Sequence, residues 1–228
     1  MEEFLGILFA GGRGTRLGEI TRYISKAFVP VYDRPVFMYP LALLESCRAI
    51  HEVVVLTNDE NDARFAAAGN RTLMQDDARV HDMLSGLQFV RESLGNERHA
   101  VLMPCDNVSQ VDVTQLVDVF LEEKCDVCYS VRRIDEPAKL RQMGVYDPAT
   151  GKLMYRPANP PSIWGMIAPY VVHRDFRWSG AANDAEAFNQ GLARRLQYDG
   201  MWFDVGDPES LVRCSSFIAS QHELQFQE

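Results

Sequence analysis

The sequence predicts an α/β fold: a mixed, mostly parallel sheet with helices on both faces. Three observations predict it. Apolar runs bounded by turns alternate with amphipathic stretches over the first 130 or so residues, the βαβα order of a parallel sheet. Val53 to Leu56 is apolar at every position, as in strands buried on both faces. The first apolar run passes straight into a glycine-rich loop, Gly11-Gly12-Arg13-Gly14-Thr15-Arg16, and open α/β sheets bind ligands beyond the carboxyl ends of their strands.

Taken in order, Leu5 to Ala10 reads as the first strand and Phe37 to Arg48 as a helix. Val53 to Thr57 is a second strand, followed by a helix near Asn61 to Ala68. Met83, Leu87 and Val90 give Asp82 to Leu94 helical spacing. His99 to Met103 is a strand, Val113 to Glu123 a helix, and Asp126 to Arg132 a strand. Beyond residue 140 the pattern turns antiparallel. Gly144 to Asp147 and Leu153 to Tyr155 flank Pro148-Ala149-Thr150-Gly151, a hairpin signal. Ile163 to Val172 adds a strand, Asp184 to Arg195 a helix, and Pro208 to Gln221 a closing helix capped by Asp207. No repeat, low-complexity tract or linker interrupts the chain, so residues 1–228 read as one domain with two halves, 1–135 and 136–228.

The 228 residues suffice for one full core, and 46% of them are hydrophobic against 24% charged. The net charge of -9 lacks the basic surface of a nucleic-acid binder. No apolar run approaches a membrane span, and MEEFLGILFAGG lacks the basic start of a signal peptide. Five cysteines, an odd number in a chain of this size, argue against a disulfide framework and fit a reducing cytoplasm. Cys125 and Cys128 form a CxxC with no second pair at zinc-ribbon spacing, so packing explains them better than a metal.

The glycine loop is the chemical signal. Glycines let backbone N–H groups approach an anion. Arg16 adds a planar fork for phosphate oxygens, and Lys26 a point charge. Two familiar phosphate loops are excluded. A P-loop needs Gly-Lys-Ser/Thr where Gly14-Thr15-Arg16 stands, and the dinucleotide fingerprint needs glycine where Leu17 stands.

The run AGGRGTRL…SKAFVPVYDRPVFMYPL, residues 10 to 41, resembles the signature of the sugar-1-phosphate nucleotidylyltransferases, and most closely their glucose-1-phosphate thymidylyltransferase branch. Weaker anchors are Asp106-Asn107, Gly144-Val145 and Trp202-Phe203-Asp204-Val205-Gly206. The resemblance implies a Rossmann-like nucleotidyltransferase fold, with residues 1–135 as the nucleotide-binding half and 136–228 as the sugar-binding half. It implies transfer of a nucleotidyl group from a nucleoside triphosphate, dTTP by branch, to a sugar 1-phosphate, with release of pyrophosphate. Arg16 and Lys26 would then be catalytic. Ala10, Gly11, Gly12, Gly14 and Thr15 would hold the nucleotide, with Gln75 and Met83 at the base. Gly144, Tyr155, Arg156 and Trp164 would bind the sugar phosphate, and Asp106 and Asp204 would hold Mg²⁺.

Three departures qualify the resemblance. Met83 replaces the family's base-facing glycine. Tyr155-Arg156-Pro157 stands where the family has Glu-Lys-Pro; the phosphate-binding charge is kept, and the sugar-binding carboxylate is lost. That points to an acceptor other than plain glucose 1-phosphate. The chain also stops one helix after Gly206, where longer members continue into helices that build a tetramer and a regulatory nucleotide site. Their absence argues against that regulation; the expected assembly is a monomer or homodimer. Two other readings stay open at this level: a non-catalytic relative of the fold, and a nucleotide-sugar glycosyltransferase, for which Cys105-Asp106-Asn107 lacks the second aspartate of an Asp-x-Asp motif.

Overall fold

The computed structural model describes residues 2–95 and 98–225. The first strand, β1 (Phe4–Phe9), is followed by two 3₁₀ segments, Thr15–Arg22 and Lys26–Phe28. A small hairpin, β2 (Pro30–Val31) and β3 (Arg34–Pro35), leads into α1 (Met38–Ser46). Then come β4 (Ile50–Thr57), α2 (Asp59–Ala67), β5 (Arg71–Met74) and α3 (Met83–Leu94). The middle of the chain forms β6 (His99–Pro104), β7 (Asn107–Ser109), α4 (Val113–Glu122) and β8 (Val127–Arg133). After the short α5 (Pro137–Leu140) come β9 (Gly144–Asp147), β10 (Lys152–Tyr155) and β11 (Trp164–Val172). The chain closes through α6 (Asp184–Phe188), β12 (Ala193–Tyr198), β13 (Trp202–Asp204) and α7 (Pro208–Gln225).

Nine strands form one sheet in the order β10-β9-β11-β6-β1-β4-β5, with β8 on β11 and β12 on β8. Strands β1, β4, β5 and β6 are parallel neighbours, and β11 runs antiparallel against β6, β8 and β9. Phe4, Ile7, Leu8, Val54 and Leu56 are fully buried. Each such side chain contributes about 1.5–3 kcal/mol by leaving water. Helices cover both faces. The core fixes α3 closely on β1, since a Cβ on Gly86 would stand 2.5 Å from the Phe9 ring.

Helix starts follow their caps. Asp82 and Ser85 form a reciprocal capping box at α3, Asp112 accepts from the Thr114 and Gln115 amides at α4, and Asp207 accepts from the Ser210 amide at 2.8 Å. All five cysteines are buried and free, Cys125 and Cys128 among them. Among the described residues no helix is long and apolar enough to cross a membrane.

One expectation fails. The helix expected over Asp184 to Arg195 stops at Phe188, and Ala193–Tyr198 is a strand lying parallel on β8. The helix is capped at Asn189, and the chain then passes Gly191 close to Phe176 and Asp126, where a Cβ would stand 2.6 Å from the Phe176 ring. The open edge of β8 then captures the next residues, and tertiary pairing overrides local propensity. Strands β5, β7 and β13, too short to carry a period, were also absent from the sequence reading.

Candidate active site

The glycine loop is shaped from beneath by β4 and β5. Ala10 donates to the Leu56 carbonyl at 2.8 Å, which carries the chain one residue past β1 along the sheet. Gln75 donates to the Thr57 carbonyl at 2.7 Å and lays its side chain over Gly11. A Cβ at Gly11 would sit 2.0 Å from the Gln75 Oε1, so any larger residue would displace that side chain. Gly14 has φ 65° in the left-handed region, and a Cβ there would meet the Lys26 Cβ at 2.7 Å. Gly12 faces open space, leaving its backbone bare at the surface of the loop.

Two asparagines that the sequence reading passed over brace this loop. Buried Asn61 donates to Ser25 Oγ and to Asn58 Oδ1, both at 2.8 Å, and Asn58 donates to the Gly11 carbonyl at 3.3 Å. The segment carrying Lys26 and the loop carrying Gly11 are thus tied through the start of α2. A polar residue at a buried position on a helix was the only available signal.

Past the end of β6, Asp106 meets Asp204 through a two-stranded ribbon. Strand β13 pairs antiparallel with β7, setting Asp204 opposite Asn107. Val205 donates to the Asp106 carbonyl at 2.9 Å, and Trp202 Nε1 donates to Asn107 Oδ1 at 2.9 Å. Two residues far apart in sequence therefore share one end of the sheet. Lys26 Nζ is ion-paired with Asp106 Oδ2. Arg16 Nη2 lies 3.7 Å from Asp204 Oδ2, with its guanidinium close to Gly206. A Cβ on Gly206 would stand 2.5 Å from that nitrogen.

The electrostatics follow from burial and pairing. Burial opposes ionisation of both Lys26 and Asp106, yet each one's charge holds the other's, so Lys26 lies above its ordinary value and Asp106 below. Asp204 is different. Burial, and then the Asp106 carboxylate, push it up to about 6 against the opposing charges of Lys26 and Arg16. Two carboxylates crowded in this way suit a divalent cation with oxygen ligands. Among the described residues no group of three His, Cys, Asp or Glu side chains could hold a metal. A cation here would need phosphate or water oxygens to complete its shell.

The other expected site residues lie apart from this cluster in their contacts. Met83 opens α3 and packs partly buried on the core. Gly144 opens β9 against Met166, and Trp164 opens β11 opposite Arg133. Tyr155 ends β10, and the Arg156 guanidinium stacks 4.9 Å from its ring centre. Arg156 has φ 45°, and its Nε donates to the Gln142 carbonyl at 3.3 Å. Among the described residues no hydrogen bond or ion pair joins these five to Lys26, Asp106 or Asp204.

A glycine loop at the carboxyl end of the parallel strands, with a lysine and an arginine set against two aspartates, is an arrangement suited to a phosphate ligand. Residues 6–179 match the family described as the MobA-like NTP transferase domain. The chain belongs to that family, and it is a sugar-1-phosphate nucleotidylyltransferase of the thymidylyltransferase-like branch. It is 48% identical to the glucose-1-phosphate thymidylyltransferase of Neisseria gonorrhoeae over 96% of this chain and 84% of that protein. A 60-residue match to the Actinoplanes enzyme of the same name reaches 50% identity and covers 26% of this chain and 20% of that protein. In fold, the chain is similar to a Bacillus anthracis structure assigned as a glucose-1-phosphate thymidylyltransferase, in complex with sucrose. The TM-score is 0.80 at 20% identity, over 94% of each chain. An Acinetobacter UDP-glucose pyrophosphorylase also gives 0.80, at 14% identity over 100% of this chain and 98% of that one.

Proposed function

We propose that the protein transfers a thymidylyl group from dTTP to a hexose 1-phosphate other than glucose 1-phosphate, with Mg²⁺ held by Asp106 and Asp204. The observation that carries this reading is the Lys26–Asp106 pair facing Asp204 at the mouth of the glycine loop. In the reaction, a phosphate oxygen of the sugar 1-phosphate attacks the α-phosphorus in line. The bond from the α-phosphorus to the bridging oxygen breaks, and pyrophosphate leaves with that electron pair. Little covalent work falls to the protein; positioning and charge dominate. Lys26 turns from Asp106 toward the phosphates and offsets their charge as they approach. Arg16, beside Gly206, receives the leaving pyrophosphate. When bound, Mg²⁺ supplies charge neutralisation at the α-phosphate.

The choice of base rests on the branch resemblance and on the thymidylyltransferase relatives, and UTP is the competing donor. The choice of acceptor rests on Tyr155 and Arg156. Stacked on each other, they offer an aromatic face and a cation but no carboxylate for sugar hydroxyls. One lost charged hydrogen bond is worth about 1.5–3 kcal/mol, or roughly ten- to a hundredfold in specificity. Pyrophosphate release should be measured with Mg²⁺ over a panel of triphosphates and sugar 1-phosphates. The expected result is dTTP first, UTP second, and a deoxy- or amino-hexose 1-phosphate ahead of glucose 1-phosphate. Highest kcat/KM on glucose 1-phosphate would remove the Tyr155 reading and leave the enzyme class standing.

A further inference from the structure

At the opposite end of the sheet from Asp106, the last turn of α3 and the turn after β11 enclose a groove of about 540 Å³. The Arg174 amide donates to His99 Nδ1 at 3.2 Å, which fixes that turn at the first residue of β6. Asp106 lies beyond the other end of this six-residue strand, about 20 Å away at the rise of a β-strand. The groove is therefore separate from the catalytic cleft.

Three arginines line it, Arg91, Arg174 and Arg177, with Trp178 as the apolar wall. Its two acids do not pair closely with Arg91 or Arg177, although the charge of Asp175 reaches Arg91 and partly offsets its desolvation. Glu92 accepts from Gln88 and pairs with Arg79, and Asp175 lies 3.9 Å from Arg174 and 3.8 Å from His173. Among the described residues neither Arg91 nor Arg177 has a carboxylate partner. Arg91 donates instead to the His173 carbonyl at 2.9 Å, and Arg177 to the Arg174 carbonyl at 2.6 Å. The Arg91 Nε is buried with no acceptor at all.

Burial, and then the charge of Arg177, bring the Arg91 guanidinium down to about 10. Buried charges are ordinarily paired, because a desolvated cation beside a second cation is unfavourable. Carbonyl oxygens hold these two guanidinium groups in place, and only the more distant Asp175 offsets the charge of Arg91. An anion seated between them would relieve the repulsion, and arginine forks match phosphate oxygens in shape and charge.

We infer that this groove is a second anion site, taking a phosphate-bearing small molecule between Arg91, Arg174 and Arg177 with its organic part against Trp178. Arg174 and Arg177 are exposed, so their replacement leaves the core intact. Thymidine diphosphate is the probe, titrated calorimetrically into the whole chain at low salt, alongside the Arg177→Glu and Arg174→Glu variants. The expected result is a binding event at least tenfold weaker in each variant, with kcat within twofold of the parent. Two results would overturn the inference: no thymidine diphosphate bound, or binding unchanged in both variants, which would confine it to the catalytic cleft.

Discussion

Lys26 and Asp106 neutralise each other in the free protein, and the proposed reaction needs Lys26 to leave that pair for the phosphates. Lys26→Ala removes that charge from the reaction and is expected to lower kcat by about 10²–10³, the scale of losing one charge-stabilising group. Circular dichroism should show the fold retained; a folded variant with near-parental turnover would remove Lys26 from the chemistry. Asp184 makes a different prediction. Its Oδ1 is buried without a partner, and burial, then the charge of Asp82, push its carboxyl up to about 7. Between its ordinary value of 3.8 and about 7, the folded state keeps a proton that the unfolded chain has lost. This contribution to stability is present at low pH and lost as pH rises through 7, by an amount on the order of 2–4 kcal/mol. Asp184→Asn should therefore be more stable than the parent at pH 8, with the gap closing toward pH 4. Urea midpoints across that range are the measurement, and a gap that does not change with pH would refute it.

Among the elements, the β7–β13 ribbon decides whether two aspartates from distant parts of the chain can meet. The Trp202 indole is its cross-link, bonded to Asn107 next to Asp106. Trp202→Phe deletes one hydrogen bond, worth about 1 kcal/mol. The Mg²⁺ concentration for half-maximal rate should rise about fivefold at nearly unchanged maximal rate. A fall in maximal rate with no change in Mg²⁺ dependence would assign Trp202 another role. The ribbon also marks where the sequence became hard to read. The loop from Gly11 to Lys26 is legible because backbone approach to phosphate demands glycine and cations within one short stretch. Asp106 and Asp204 were legible only through resemblance, since nothing local distinguishes an aspartate after a strand from a turn residue. Asn58 and Asn61 were missed because their work is tertiary; on paper they are two polar residues at the start of an amphipathic helix. The helix expected through Arg195 failed for a related reason: the β8 edge that claims Ala193–Tyr198 lies 66 residues upstream, Ala193 facing Val127.

At the scale of the whole molecule, one sheet runs through strands from both halves of the chain, and β11 touches β6, β8 and β9 at once. Unfolding should therefore be a single cooperative transition, with far-UV circular dichroism and tryptophan fluorescence coincident in urea. Two separated transitions would divide the chain into independent units. The strand order also bears on synthesis at the ribosome. Strand β8 pairs with none of the strands made before it; its partners are β11 and β12. When residue 133 has emerged, β6 and β8 each still present a bare edge, and β12 ends 65 residues later. At about 5–20 residues per second, the nascent chain spends roughly 3–13 s with hydrogen-bonding edges open to other chains. A product truncated near residue 160 would keep those edges for good and should collect in the insoluble fraction, whereas the full chain closes them from within.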